Sequence, residues 1–591
     1  VSVAPGTVHR EGGDLILTAP PEMPDSTWRA LQRRLLTEVK AEHEAPQVRQ
    51  VRWPVENSAP VRLTLSRWPA QNWDWDWTSA ADAAATHAED IAAALARVLD
   101  AEEPPPLEFD GTGFTRTLLP AQERAVAALV DAGSGGNFSV PGSGKTTMTY
   151  AVYASLRAAG TADRMLVIAP QSAYEAWEEE ADACFDHPPV VEVAPRAPRR
   201  ESEVVVVNYE RLASGSLRAA LHRWAQRHRL MVVYDEAHRA KRGIAGLHGA
   251  AARDVTDLAT HRFVLTGTPM PNSEDDLVAV LDLAWPGHGA RLAGSQTPNA
   301  ERSWVRITKD ELQLDPAHVV VETVELDRDH RRLYDAVVAG LVDGDGRFVD
   351  QGRRAAIMRV LAAAANPLLL GQDDDALLWS TGGPSDRTVE ELLDDLRGAA
   401  RPAKLLAAAA HADRYARAGQ KVLIWTNFVG NVAELARLLA PLQPAVVTGA
   451  TPRDDPAAPT DRVRELRRFR EDDDCSVLIA TPQTLGEGIS LHQVCQAQIH
   501  VDRSFNAGLY LQALDRTHRV GMPAGTSAEV TLLVADGTID EAVDMALREK
   551  MRAMDAVLAD PTLHRLAEAS DAAAADFTED DIRRLVAHLR F

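Results

Sequence analysis

From about residue 136 onward, short apolar runs rich in β-branched residues alternate with amphipathic stretches of helical period. The first series of runs covers 137–140, 165–169, 203–207, 230–234 and 262–266, each followed by a helix-like segment. That order predicts a parallel sheet with right-handed crossovers. A second series covers 421–426, 445–448, 476–480, 498–502 and 529–534, so two similar α/β lobes in tandem are expected. Between them, roughly 328–400 reads as helical, with alanines at 362–365 and acidic patches at 373–375 and 390–395. It is expected to be a connection with a helical protrusion. Residues 538–558 place Ile539, Val543, Ala546, Leu547, Met551 and Met554 on one stripe, the pattern of a closing amphipathic helix. The first 105 residues lack this rhythm, and the acidic, proline-rich run 102–106 marks a boundary. The expected division is an accessory domain at 1–105, a first lobe at 106–315, a link at 316–400, a second lobe at 401–560 and a helical tail at 561–591.

Composition narrows the picture only in part. A chain of 591 residues holds about three domains, and 45% hydrophobic with 25% charged residues is ordinary for globular proteins. The net charge of −23 argues against nucleic-acid binding by bulk charge, so any such binding must use a local strip. Seven lysines stand against 56 arginines, a bias expected of a GC-rich genome. Cys184, Cys475 and Cys495 lie far apart without CxxC spacing, which speaks against a disulfide framework and against a zinc site. No run approaches about 18 uninterrupted apolar residues, and no basic-then-apolar leader opens the chain. No membrane association is expected, and the expected compartment is the cytoplasm.

Three groups of residues carry chemistry. Ser139-Val140-Pro141-Gly142-Ser143-Gly144-Lys145-Thr146 follows an apolar run and opens a helix, the setting of a phosphate-binding loop. Gly142 and Gly144 let backbone amides approach phosphates, Lys145 would reach the β and γ phosphates, and Thr146 would hold Mg²⁺. Pro141, Ser143 and Thr147 complete the expected ATP contacts. Ser139 stands where the motif usually has its first glycine. About ninety residues downstream, an apolar run ends in Asp235-Glu236-Ala237-His238. Asp235 would serve Mg²⁺, and Glu236 would orient or deprotonate the attacking water. Finally, Arg516 and Arg519 are three residues apart, which places them on one face of a helix. A planar guanidinium suits charge developing on a transferred phosphoryl group.

In order and number, these motifs resemble helicase superfamily two, and within it the Swi/Snf family, over about residues 114–558. Leu119-Pro120-Ala121-Gln122 resembles the adenine-sensing element. Ala169-Pro170-Gln171-Ser172 with Trp177 and Glu180 resembles the first DNA-strand motif, and Asn208-Tyr209-Glu210-Arg211-Leu212 another family element. Leu265-Thr266-Gly267-Thr268-Pro269 with Asn272 resembles the motif linking hydrolysis to DNA grip. Arg306-Ile307-Thr308-Lys309 with Leu314 and Pro316 is similar to a further element, although Val305 replaces one arginine. Asn366-Pro367-Leu368, Ile424-Trp425-Thr426-Asn427-Phe428 and the stretch 449–462 continue the series. So does Gly486-Glu487-Gly488-Ile489-Ser490-Leu491. Gln512 to Met522 nearly reproduces the family's arginine motif, with Met522 replacing its last glutamine. Thr538-Ile539-Asp540-Glu541 points to the HARP-like annealing-helicase branch.

The resemblance implies two RecA-like lobes, ATP and Mg²⁺, and ATP-driven tracking along duplex DNA without obligatory strand separation. It implies coupling roles for His238, Thr266 and Gln512, and nucleotide contacts for Gln122 and Gly488. DNA-phosphate contacts would come from Gln171, Ser172, Asn272, Thr426, Asn427, Thr481 and Arg503, giving sequence-tolerant binding.

Trp73, Trp75 and Trp77 alternate with aspartates, which places the indoles on one face of a strand. They could form the accessory domain's own core, a protein-partner surface or a base-stacking platform. The interleaved aspartates disfavour the last. A helix capped by Thr78 or Ser79 should follow. Three functions remain open from sequence: a duplex DNA translocase, a strand-separating helicase on DNA or RNA, and a nucleotide-gated subunit of a larger assembly. Bacterial repair, restriction or antiphage defence enters by analogy alone.

Overall fold

The computed structural model describes residues 5–38, 42–43, 49–66, 75–100, 104–107, 109–212, 215–240, 257–270, 274–294, 297–341, 353–371, 393, 402–452, 458, 460–485, 489–523 and 525–568. The chain divides into two compact units. The first comprises 1–139, 145–269 and 274–306; the second comprises 140–144, 270–273 and 307–591.

The first unit contains two sheets. Strands β1 (Gly6–Glu11), β2 (Asp14–Thr18), β3 (Glu42–His43), β4 (Gln50–Pro54) and β5 (Trp75–Trp77) form the order β3-β4-β2-β1-β5. Only the β1–β5 pair is parallel. Its core is Val8, Leu15, Leu17, Trp28, Leu31, Leu35, Val51 and Trp53, and Trp75 and Trp77 pack against it. Trp77 meets Trp53 edge-on at 6.4 Å and carries the Arg62 guanidinium on its ring at 4.6 Å. These two indoles serve the core; Trp73 lies outside the described residues. Helix Ser79–Asp100 follows, with the Thr78 hydroxyl accepting from the Ala81 amide at 3.3 Å. The Leu99 carbonyl accepts from Asn299 at 2.8 Å, and Arg10 pairs with Asp257 at 2.6 Å. The N-terminal layer is thereby fastened to the parallel sheet of its own unit.

That sheet is built from β6 (Gly135–Asn137), β7 (Arg164–Ile168), β8 (Val191–Val193), β9 (Val204–Val207), β10 (Leu230–Asp235), β11 (His261–Leu265) and β12 (Trp304–Val305). All run parallel, in the order β12-β6-β11-β10-β7-β9-β8. Unbroken apolar runs such as Val204–Val207 are buried throughout, as a sheet covered on both faces requires. Strand β6 lies two residues earlier than expected. Its glycines hid it, yet a Cβ at Gly136 would sit 2.7 Å from the Phe138 ring, so a side chain there would have to displace that buried ring.

The second unit's sheet comprises β13 (His318–Val324), β14 (Val422–Trp425), β15 (Ala445–Val447), β16 (Val477–Ala480), β17 (Ala497–His500) and β18 (Glu529–Ala535). Again all strands are parallel, in the order β13-β18-β17-β14-β16-β15. The stretch read as a link therefore opens with an edge strand whose register pairs His318 with Glu529. Helices Arg328–Leu341 and Arg353–Ala365 follow it; positions 373–375 and 390–395 lie outside the described residues apart from Leu393. The closing helix spans Ile539–Leu558, capped by the Thr538 side chain. Two α/β units with parallel sheets match the expected fold class, and such sheets gather ligand-binding loops at the carboxyl ends of their strands.

Candidate nucleotide site

The phosphate loop runs from the end of β6 into helix Lys145–Ala158. Gly142 and Gly144 hold φ of 85° and 81°, the left-handed region that frees loop amides to point inward. The Lys145 ammonium donates to the Ser139 carbonyl at 2.9 Å, so it reaches back across the mouth of its own loop. Thr146 is half-buried one residue further on. Thr147 is spoken for: buried, it bonds Glu180 on helix Tyr174–Cys184 and braces the helix instead of facing a nucleotide. Gln122 is likewise engaged, its Oε1 accepting from the Leu119 amide at 2.8 Å as half of a capping box.

Asp235 ends β10, and three donors hold it. The Trp177 indole N–H reaches Oδ2 at 3.0 Å, the Glu236 amide reaches Oδ1 at 3.0 Å, and the Tyr209 hydroxyl donates to the Asp235 carbonyl at 2.9 Å. Burial pushes the Asp235 carboxyl above the usual range and the Glu236 carboxylate adds to this; the Trp177 bond and the Lys145 charge oppose it. A hydroxyl on Thr146 and a carboxylate that gains from a nearby cation are hard oxygen donors, the set that suits Mg²⁺ shared with phosphates. Glu236 sits at φ 50°, an uncommon conformation for a residue with a side chain. His238 lies 3.3 Å from the Glu236 carboxylate and 3.1 Å from the buried Thr266 hydroxyl. Thr266 in turn accepts from the Thr268 amide at 3.1 Å. A continuous polar chain thus joins Glu236 to the Thr266 motif.

Trp177 and Tyr209 stand in motifs whose resemblance assigns them no individual role. Their signal was available: a fully buried aromatic with a polar tip needs a partner. A Trp177→Phe variant keeps the ring and loses the donor. Turnover should fall about ten- to a hundredfold, as for other residues that orient a metal-binding carboxylate. Binding of a fluorescent ATP analogue and the melting temperature should change little. Wild-type turnover would show that the indole bond does no work.

In the second unit, helix Ala507–Leu514 stops before the arginines. Arg516 and Arg519 therefore lie in the turns beyond it and not on one helix face. The Thr517 and His518 amides both return to the Leu514 carbonyl, which tightens the chain and ends the ladder. Arg516 is tied down, donating to the Gln512 carbonyl at 3.0 Å and the Ile489 carbonyl at 2.7 Å. Arg519 donates to the Ser490 hydroxyl at 2.7 Å. Burial disfavours its cation and Asp515 only partly offsets that, so an anion would find a receptive guanidinium. Within this unit, a Cβ at Gly142 would lie 2.7 Å from the Arg519 Cγ, so the Arg519 side chain packs against residue 142.

The expected DNA contacts divide. Gln171 is exposed and Ser172 half-buried at the short turn Gln171–Ala173. Three others are corrected. Thr426 is fully buried and bonds Asp502; Thr481 is buried against Thr484 at 2.7 Å. Arg503 forms a buried pair with Asp544 at 2.6 Å and stacks over Tyr510. Each is satisfied internally, so none is presented to a phosphate. Asn427 spends its amide on Asp502 at 2.8 Å and accepts from Gln483 at 2.9 Å. Asp502 was missed, yet it organises Thr426, Asn427 and Asn431. Asn272 and Gly488 lie outside the described residues. Among the described residues, no helix is long and apolar enough to cross a membrane.

Comparison with known proteins finds two matching domain families. Residues 138–292 match the SNF2-related domain, and 404–521 match the helicase conserved C-terminal domain. The chain is 22% identical over 514 residues to the ATP-dependent helicase FUN30 of Saccharomyces cerevisiae, covering 71% of this chain and 44% of that protein. It is 23% identical over 511 residues to YwqA of Bacillus subtilis, provisionally described as an ATP-dependent helicase/translocase, covering 78% and 51%. The chain thus spans about half the length of these relatives. Among solved structures, the Sulfolobus solfataricus SWI2/SNF2 ATPase core in complex with dsDNA aligns with 18% identity and a TM-score of 0.33. That alignment covers 82% of this chain and 99% of that one.

Proposed function

We propose that this chain, a superfamily-two ATPase of the Swi/Snf type by its paired SNF2-related and helicase C-terminal domains, hydrolyses ATP to track along duplex DNA. The observation that carries the reading is Arg519 seated against Gly142 of the phosphate loop. Loop amides and Lys145 would hold the β and γ phosphates. Thr146 and Asp235 would hold Mg²⁺, which supplies neutralising charge when bound. Glu236, steadied by His238 and Thr266, orients the attacking water and takes its proton. Arg519 offsets charge developing on the transferred group, while Arg516 anchors the segment that carries it.

DNA would be held through phosphates by local amides and polar side chains such as Gln171 and Ser172, since a net charge of −23 repels DNA at long range. Binding should therefore be sequence-tolerant and weaken as salt rises. The finer assignment is a HARP-like, bacterial, cytoplasmic motor working in repair, restriction or antiphage defence, and it rests on motif resemblance and analogy.

The test is ATP-driven displacement of a third strand from a linear triplex. Displacement without separation of the duplex supports tracking. Unwinding of a forked duplex without triplex displacement would instead make the chain a strand-separating helicase. Neither activity, with turnover stimulated only by an added protein, would make it a nucleotide-gated subunit.

A further inference from the structure

The segment Arg306–Asp315 matched a family element to which the function above gives no task. Within the second unit, its residues from Ile307 on touch residue 140 and the turn that carries Arg516 and Arg519. The Ile307 carbonyl accepts from the Val140 amide of the phosphate loop at 3.1 Å. Two residues on, the Lys309 ammonium is buried at 2.5 Å from Asp515 Oδ1, 3.1 Å from His518 Nδ1 and 3.3 Å from the His518 carbonyl. His518 Nε2 lies 2.7 Å from the Asp315 carbonyl. A carbonyl can only accept, so Nε2 carries the proton and Nδ1 presents its lone pair to the ammonium. Burial and then the Lys309 charge hold the His518 imidazole down to about 4, so the ring stays neutral under working conditions. Asp515 and His518 are the immediate neighbours of Arg516 and Arg519, and the helix has already ended at Leu514. Side-chain exposure of 7% for Lys309 and 6% for Asp515 leaves water little part in the cluster. The far side of the segment is anchored too, with Asp310 paired to Arg565 at 2.5 Å.

We infer that Lys309 is a positioning residue that clasps the turn between the two arginines and sets where Arg519 projects toward the phosphate loop. The inference rests on the reading of Arg519 given above. A lysine serves here because a compact ammonium can satisfy a carboxylate, a ring nitrogen and a carbonyl converging from three directions, which a planar guanidinium cannot. Loss of the clasp leaves ATP binding to Lys145 and the glycine loop untouched. What it changes is the place of a group whose misplacement by about 1 Å can cost two orders of magnitude in rate.

The test compares full-length Lys309→Met, Lys309→Met/Asp515→Asn and the isosteric Asp515→Asn with wild type and with Arg519→Ala. Lys309→Met strands a buried carboxylate and should melt early; the double variant removes both charges and should regain most of the melting temperature. The inference expects kcat to stay at least about tenfold down in the double variant, with affinity for a fluorescent ATP analogue within twofold of wild type. Asp515→Asn, which keeps an acceptor for the ammonium, should fall between. Normal kcat in the double variant and in Asp515→Asn, beside an inactive Arg519→Ala, would overturn the clasp alone. Normal kcat in Arg519→Ala would overturn the arginine reading and the clasp with it.

Discussion

Arg519→Ala should bind ATP nearly as the wild type does and hydrolyse it about 10³- to 10⁵-fold more slowly, the range over which an arginine finger acts. The side chain is half-buried beside Gly142 and, among the described residues, bonds the Ser490 hydroxyl. Its removal therefore leaves no buried charge behind, and the fold should survive. On the proposed reading the effect falls in kcat, because the guanidinium would meet charge that appears only as the phosphoryl group moves. Arg516→Ala should look different. Arg516 ties Ile489 and Gln512 together, so truncation should lower the melting temperature as well as the rate. Single-turnover hydrolysis and analogue binding, measured side by side, separate the two. Equal loss of ATP binding and rate in Arg519→Ala would mean that the residue serves only to bind ground-state nucleotide.

Glu236→Gln should retain ATP and lose about 10²- to 10⁴-fold in turnover, the usual contribution of a positioned general base. The amide keeps the shape of the carboxylate but cannot take a proton. The backbone at φ 50° and the His238 contact should hold the side chain in place, which makes the chemical loss easy to isolate. His238→Ala should cost less, since Glu236 keeps its charge and loses only its brace through Thr266. A Glu236→Gln protein with normal turnover would move the base elsewhere.

Much of this was legible in the sequence. Runs such as Val204–Val207 and Val422–Trp425 announce strands because a buried parallel strand needs apolar side chains on both faces. Glycines at fixed positions announce the phosphate loop because only they take its backbone without strain. What stayed hidden depends on distant partners. Strand β13 pairs with a segment some two hundred residues later, and β12 is two residues long, so neither interrupts the local rhythm. Arg503 reads as a solvent-facing cation until Asp544 is placed beside it. Thr426 reads as a phosphate ligand until Asp502 claims its hydroxyl. The three-residue spacing of Arg516 and Arg519 is a helical spacing, but the helix ends at Leu514, and spacing alone does not report where a ladder stops. Lys309 stands in a recognisable element, yet its buried partners Asp515 and His518 lie some two hundred residues later, so the sequence assigns it no contact.

Control of this chain's ATP hydrolysis by duplex DNA is the property on which the proposed function depends. It is tested most directly by steady-state turnover of the full chain with duplex DNA, single-stranded DNA, RNA and no nucleic acid, at equal nucleotide concentration and low salt. Duplex DNA alone should raise kcat severalfold, and the increase should fade with added salt as phosphate contacts are screened. Equal turnover in all four, or stimulation by RNA and not by duplex DNA, would contradict it.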